Sequence, residues 1–317
     1  MIKRLLGSSD LLITAVGYGA FPIGGWMWGE QDDADSVRAI HAALEAGVNW
    51  IDTAPIYGSG RADAVVARAV AELPAERRPY IFTKFGHHLV NGQRVNDGSR
   101  ARIVADCEYA LKTFGVDRLD LFQQHWPTPQ PIDETARACE DLLRAGKIRA
   151  IGVSNYNVAQ LEAWRLTTVP LHSVQNPYSL FRTDAERDVL PWCVANQVGF
   201  LAYSPLNRGM LFGTWTVDKV FPAGDHRAER PDFTQPRLGR FLEAVAEIRA
   251  LAEEADQSCA ELAIGSLMCT EGVSACIVGA RNAEQGAFLG ELGMPAKQSQ
   301  LDAIEAICAQ LRADLPA

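Results

Sequence analysis

Asp52, Tyr57, Lys84 and His125 lie at the ends of three short apolar runs, in the segments NWIDTAPIYG (49–58), IFTKFG (81–86) and LFQQHWP (121–127). Each run stops at an ionisable residue and is followed by turn residues and a helical pattern. The four residue types complement one another. A free phenol has a pKa near ~10 and is a poor proton donor or base at neutral pH. A nearby ammonium favours the phenolate and lowers that value. Lys84 supplies such a charge, with Asp52 to hold it charged and oriented. His125 then shares a proton with Tyr57 or hydrogen-bonds a substrate oxygen. Together the quartet forms a proton donor and acceptor facing a carbonyl or alcohol oxygen. Taken singly, each residue has a plainer explanation: a structural ion pair, a turn tyrosine, a buried histidine. Their recurrence at matching strand ends is what points to chemistry.

That placement requires parallel strands opening on one face. Strand-like runs occur at 14–18, 48–52, 80–84, 119–123, 149–153, 172–176, 199–203 and 275–278, eight in all. Amphipathic helical stretches lie between them, at 33–46, 62–72, 99–114, 133–145, 157–167 and 184–196. The first begins with acidic residues and stops at Gly47; the fourth opens with Asp133 as a candidate N-cap. Strand–helix–strand units repeated eight times favour a closed α/β architecture, a (β/α)8 TIM barrel, over an open sheet. Such barrels keep their chemistry at the C-terminal ends of the strands. Residues 3–13 read as a β-hairpin ahead of the barrel, and 238–256, 259–269 and 298–312 as helices in and beyond its last third. The segment 207–237, rich in Gly, Pro and charge, reads as a lid or binding loop. With no linker or low-complexity tract, residues 1–317 are expected to form a single domain.

Composition bounds the partners. Charged residues make up 22% of the 317-residue chain and hydrophobic residues 48%, ordinary for a globular protein with a large core. A net charge of −9 with no basic run argues against nucleic acid and against an anionic membrane surface. No run approaches the roughly 18 apolar residues of a membrane span. The seven cysteines are scattered without metal-ligand spacing, so no metal is expected and a reducing, cytoplasmic setting fits.

A second set of polar residues follows the later strands: Ser154 and Asn155, Gln175, then Tyr203, Ser204 and Leu206 in YSPL. Amide and hydroxyl groups of this kind hydrogen-bond a carboxamide, and an aromatic ring stacks on a flat heterocycle. After the eighth strand, GARNAEQ (279–285) offers Gly279, Arg281 and a helix start, a combination suited to phosphate. No GxGxxG follows the first strand, which disfavours a Rossmann dinucleotide domain.

In their order, NWIDTAPIYG, TKFG, QHWP, GVSN, QNPYSL, YSPL and IVGAR resemble the motifs of the aldo-keto reductases over about residues 3 to 290. The resemblance implies a nicotinamide-dependent oxidoreductase whose catalytic tetrad is Asp52, Tyr57, Lys84 and His125, with Tyr57 as general acid. It places the nicotinamide carboxamide on Ser154, Asn155 and Gln175 and its ring on Tyr203. Ser204, Leu206, Gly279, Arg281 and Gln285 fall at the pyrophosphate and adenosine end. The segment GGWMWGEQD (24–32) and the GAR loop look most like bacterial members, including general-stress and sugar-related ones. Two departures stand out. Where such members carry acidic and amide groups for the adenine, this chain has Phe288 and Leu289. The stretch SPLNRGMLFG (204–213) lacks the basic residue that often follows its final glycine. Arg281 favours NADPH over NADH, leaving NAD+ and NADH as possible cofactors.

Trp26, Trp28 and Trp126 are candidate walls of the substrate pocket, with Trp215 or Phe233 as further candidates. Aromatic walls suit apolar carbonyl compounds and the CH faces of sugars alike. The leading expectation is NADPH-dependent reduction of aldehydes and ketones by a monomer or small homo-oligomer. The alternatives are an NAD(P)+-dependent aldose 1-dehydrogenase forming lactones, and a cofactor-bound regulatory or redox-sensing subunit like the potassium-channel β subunits.

Overall fold

The computed structural model describes residues 1–222 and 224–315. Strands β1 (Lys3–Leu5) and β2 (Leu12–Thr14) pair antiparallel as the expected hairpin. Eight further strands form the closed barrel: β3 (Val16–Gly19), β4 (Trp50–Asp52), β5 (Tyr80–Phe85), β8 (Leu119–Gln124), β9 (Ile148–Ser154), β10 (Ser173–Pro177), β11 (Gly199–Tyr203) and β12 (Val273–Gly279). Neighbours run parallel throughout, and β12 closes on β3. All eight strand expectations correspond to barrel strands, with one correction at the start. Thr14 belongs to the hairpin, paired with Lys3, and the barrel strand begins at Val16.

Side chains of a strand alternate between its two faces, so inward positions are two residues apart. This parity builds two storeys inside the barrel. Trp50, Phe82, Leu121 and Leu201 belong to an apolar cluster completed by Leu6, Leu11 and Ile13 from the hairpin end of the chain. Two residues further along the same strands come Asp52, Lys84, Gln123 and Tyr203. The lower storey is tight. Trp50 packs on Phe82 at 4.9 Å between ring centroids, and a Cβ on Gly17 would fall 2.2 Å from the Trp50 ring. A second and larger apolar core lies between the barrel and its helices.

The helical shell follows the amphipathic pattern. Helix α1 (Asp33–Glu45) is capped by the Asp32 carboxylate, which accepts from the Asp35 amide, and the chain leaves it through Gly47 at φ 100°. Helices α2 (Arg61–Ala71) and α3 (Arg100–Phe114) follow. Helix α4 (Ile132–Arg144) begins one residue before the expected span: Pro131 is its N-cap and Asp133 sits in the first turn, where a carboxylate still complements the helix dipole. After α5 (Val158–Arg165), the single helix expected over 184–196 is two, α6 (Asp184–Arg187) and α7 (Val189–Ala195). Pro191 is the cause, because it has no N–H to give the Arg187 carbonyl and its ring would clash with that group. Helices α8 (Arg237–Glu253), α9 (Cys259–Leu267), α10 (Ala283–Phe288) and α11 (Gln298–Asp314) complete the shell.

One element has no counterpart in the sequence expectations. Strands β6 (His87–Val90) and β7 (Gln93–Asn96) form an antiparallel hairpin directly after β5. Its turn is Asn91-Gly92, both with positive φ (52° and 78°), the conformation that lets a two-residue turn match strand twist. The described residues of the segment 207–237 are irregular but packed, with short 3-10 turns at Asn207–Phe212 and Pro231–Phe233 and a cluster of the Trp215, Phe221 and Phe233 rings. Among the described residues no helix is long and apolar enough to cross a membrane.

Candidate active site

Asp52, Tyr57, Lys84 and His125 meet at one end of the barrel. Lys84, fully buried, donates from Nζ to Asp52 Oδ1 at 2.5 Å and to the Thr53 carbonyl at 3.1 Å. The same ammonium lies 3.4 Å from the Tyr57 hydroxyl. The His125 ring stands edge-on to Tyr57, 5.7 Å between centroids. Tyr57 comes from the loop after β4, and that loop is pinned by close backbone packing. Gly58 sits at φ 60°, and a Cβ there would lie 2.1 Å from the Gly24 carbonyl oxygen. Only glycine fits so near another backbone in this conformation.

The second carboxylate oxygen of Asp52 accepts from the Gln175 amide at 2.8 Å and from the Gln123 amide at 3.2 Å. Gln123 escaped the sequence reading, although its inward parity with Leu121 marks it. The second polar set is also bonded to itself. Ser154 donates to the Gln175 carbonyl at 2.7 Å, Asn155 donates to the His125 carbonyl at 3.0 Å, and Tyr203 donates to the Asn155 side-chain oxygen at 2.8 Å. Asn155 adopts φ 63°, a left-handed conformation that asparagine tolerates better than most residues.

Electrostatics corrects one expectation. Lys84 does not bring the Tyr57 phenol below its ordinary value in this structure. Burial pushes Tyr57 well above it, and the neighbouring Asp52 carboxylate pushes the same way. Burial pulls Lys84 down, opposed by Asp52, so the ammonium's field is largely committed to its carboxylate. Tyr57 is therefore a neutral phenol, a proton donor. His125 is held neutral, pushed well below its usual value by burial and then by the Lys84 charge.

Asp63, at the start of α2, is a buried carboxylate behind this group. It accepts from the Thr53 hydroxyl at 2.6 Å, and its other oxygen has no partner among the described residues. Burial raises it to about 6, opposed by the Thr53 hydrogen bond and by Lys84. The folded chain thus holds this proton more tightly than the unfolded chain, so its contribution to stability is present at low pH. That contribution is lost as pH rises from about 3.8 through about 6. The loss is roughly 3 kcal/mol at most. In Asp63→Asn the slope of stability over this range should flatten, as read from urea midpoints between pH 4 and pH 7. An unchanged slope would mean that Asp63 is not the titrating group.

A cavity of about 1070 Å³ opens above the tetrad. Trp26, Trp28 and Trp126 all line it, as do Ser154, Asn155, Gln175, Tyr203, Ser204, Leu206, Gly279, Arg281 and Gln285. Trp215 lines it too, whereas Phe233 is buried behind it. Trp28 is clamped rather than free: its ring meets His226 at 4.8 Å and carries the Arg227 guanidinium at 4.6 Å. Gln285 has a structural task as well. Its side chain accepts from the Arg281 amide at 2.9 Å while Asn282 caps α10 by accepting from the Gln285 amide. Arg281 reaches across to the loop before α1, donating to Gln31 Oε1 at 2.6 Å and to the Glu30 carbonyl. Phe288 faces the cavity near Phe212, but Leu289, its sequence neighbour, turns away into the core.

The cavity carries several arginines in a chain of net charge −9: Arg208, Arg227, Arg230 and Arg281 line it, with Glu284 and Glu291. Arg208 is the telling member. Burial and the neighbouring Arg230 lower it to about 10, and its side chain meets only the His226 imidazole, with no carboxylate partner among the described residues. A half-buried guanidinium without an anion suits a phosphate-bearing ligand. Flat aromatic, amide and arginine groups along one cavity together fit a nicotinamide dinucleotide. Among the described residues, no three His, Cys, Asp or Glu side chains gather as a metal site would require.

Comparison with known proteins agrees with this geometry. The chain is 39% identical over 289 residues to aldo-keto reductase YhdN of Bacillus subtilis (strain 168), covering 90% of this chain and 87% of that protein. It is 29% identical to the NADH-specific methylglyoxal reductase of Escherichia coli (strain K12), over 90% and 91% of the two chains. Among solved structures, the glycerol dehydrogenase AKR11B4 from Gluconobacter oxydans superposes with a TM-score of 0.90 at 37% identity, covering 99% of this chain and 97% of that one. Residues 15–308 match the Aldo/keto reductase family. The chain belongs to that family, and it is an NAD(P)H-dependent oxidoreductase acting on carbonyl and alcohol groups.

Proposed function

We propose that this protein is an NADPH-dependent carbonyl reductase in which Tyr57 protonates the substrate oxygen. The observation that carries this reading is the Asp52–Lys84–Tyr57 chain, at 2.5 Å and 3.4 Å, beneath a cavity of about 1070 Å³. A reduced nicotinamide bound in this cavity would supply hydride for the carbonyl carbon. Tyr57, neutral and buried, gives its proton to the oxygen as negative charge develops there, and Lys84 stabilises the phenolate left behind. Asp52 holds Lys84 in place, and neutral His125 orients the oxygen. Ser154, Asn155 and Gln175 would hold the carboxamide and Tyr203 the ring, while Arg281 and Arg208 would take the phosphates.

The same groups run in reverse, with Tyr57 accepting a proton from an alcohol. The 37% identity to a glycerol dehydrogenase favours small polyols or their aldehydes as the substrate pair. The whole chain works as one unit, and its seven unpaired cysteines suit the cytoplasm.

Arg281 tests the cofactor assignment. Arg281→Ala is expected to weaken NADPH binding by roughly 10- to 100-fold, the loss of a charge-assisted contact, and to weaken NADH binding much less. Fluorescence titration with both cofactors measures this. Equal weakening of the two would reduce Arg281 to a tether for the Glu30–Gln31 loop and remove the basis for preferring NADPH.

A further inference from the structure

The hairpin β6–β7 brings to the cavity a second histidine that the proton-transfer scheme does not use. His87 and Asn96 are cross-strand partners, and His87 Nδ1 lies 2.5 Å from Asn96 Oδ1. The orientation of the amide is set by its other end. Asn96 Nδ2 faces the Pro127 carbonyl at 3.3 Å, and a carbonyl can only accept. Asn96 Oδ1 therefore faces the imidazole, and it too can only accept, so Nδ1 carries the ring proton. Burial lowers His87 below its usual range, opposed by the Asn96 hydrogen bond and helped by the Arg94 charge, and its hydrogen-bond partner is an amide rather than a carboxylate. A neutral ring protonated on Nδ1 has a bare lone pair on Nε2. That nitrogen has no partner among the described residues.

His87 lines the cavity, 5.2 Å from the His125 ring and 6.4 Å from the Trp126 ring between centroids. The hairpin holds it firmly. The Asp97 amide donates to the Gly86 carbonyl at 2.8 Å to close its base, and the Arg94 guanidinium lies 5.0 Å over the Trp26 ring. An acceptor is thus fixed beside the point where Tyr57 and His125 would hold the reacting oxygen. A neutral acceptor matches a hydroxyl donor. It offers nothing to a carboxylate or a second carbonyl, which themselves only accept.

We propose that His87 is a specificity-determining residue that accepts a hydrogen bond from a hydroxyl next to the reacting carbon, with Asn96 positioning it by fixing its tautomer. The substrate class is then hydroxy-aldehydes and hydroxy-ketones, or vicinal diols in the reverse direction. This inference rests on the carbonyl-reductase reading above.

The test compares glyceraldehyde with propionaldehyde, which differ in the hydroxyl groups, as the ratio of their kcat/KM values with NADPH. Wild-type enzyme should favour glyceraldehyde. In His87→Phe, which keeps a ring and removes both nitrogens, the ratio should fall by roughly 5- to 10-fold, the worth of one neutral hydrogen bond. His87→Gln, whose side-chain oxygen can accept, should restore part of it. A lost fold would lower both substrates together, whereas the proposal requires the ratio to move. An unchanged ratio in both variants, with both aldehydes still reduced, overturns the role of His87 and leaves the reductase intact. Failure of the wild-type enzyme to reduce either aldehyde overturns the reductase reading, and the His87 proposal falls with it.

Discussion

Tyr57→Phe is expected to lower kcat for carbonyl reduction by about 10²- to 10⁴-fold, the range over which a positioned acid contributes, while NADPH binding stays close to wild type. The substitution removes one oxygen and little else. The ring still packs on Phe21 at 4.9 Å and against His125, and no side chain except Lys84 loses a hydrogen-bond partner. Stopped-flow fluorescence would separate cofactor binding from turnover. Variant turnover within a few-fold of wild type would transfer the proton donor's role elsewhere, with His125, edge-on to the Tyr57 ring, the first candidate.

Lys84→Met should be the most destabilising substitution in the barrel mouth, at about 3–5 kcal/mol, because it strands a buried carboxylate. Asp52 would retain the Gln175 and Gln123 amides, but two neutral donors do not replace an ammonium at 2.5 Å. Turnover would vanish as well, so stability needs a separate readout. Adding Asp52→Asn to Lys84→Met removes the stranded charge, and the urea midpoint should recover by a large part of the loss while activity stays absent. A double variant as unstable as Lys84→Met alone would show that packing around the lysine stem, and not the uncompensated charge, governs the cost. Together the two results would separate what the ion pair does for the fold from what it does for the proton.

The barrel was legible because its two signals are local. Apolar runs of strand length and helical periodicity each need only a few neighbouring residues, and parity within a strand then fixes which side chains face inward. Asp52 and Lys84 follow from that parity, two residues after Trp50 and Phe82, and Gln123 would have followed had it been applied to β8. The helix expected over 184–196 breaks at Asp188, three residues before Pro191, whose effect on the preceding turn is a rule visible in the sequence but outweighed there by the amphipathic pattern. The β6–β7 hairpin was missed although Asn91-Gly92, the favoured pair for such a turn, marks it; its flanking residues alternate too weakly to read as strands. The direction of the Tyr57 shift was not legible at all. Lys84 at the next strand end suggests a lowered phenol, and only the depth of burial, a property of the assembled barrel, reverses the sign. Arg281's reach to Gln31, 250 positions away in sequence, lies equally beyond any local pattern.

The two-storey interior ties catalysis to foldability. Each tetrad residue on a strand is in phase with a large apolar side chain two positions earlier, Asp52 with Trp50 and Lys84 with Phe82. A slip of one residue in either strand would swing the ring out of the plug and the charge out of the mouth in the same motion. A one-residue slip in either strand therefore cannot spoil the chemistry while sparing the core. Quality control that detects only misfolded chains would remove catalytically misaligned ones as well, and sequence drift in this barrel is safest in the loops, where length can change without altering phase.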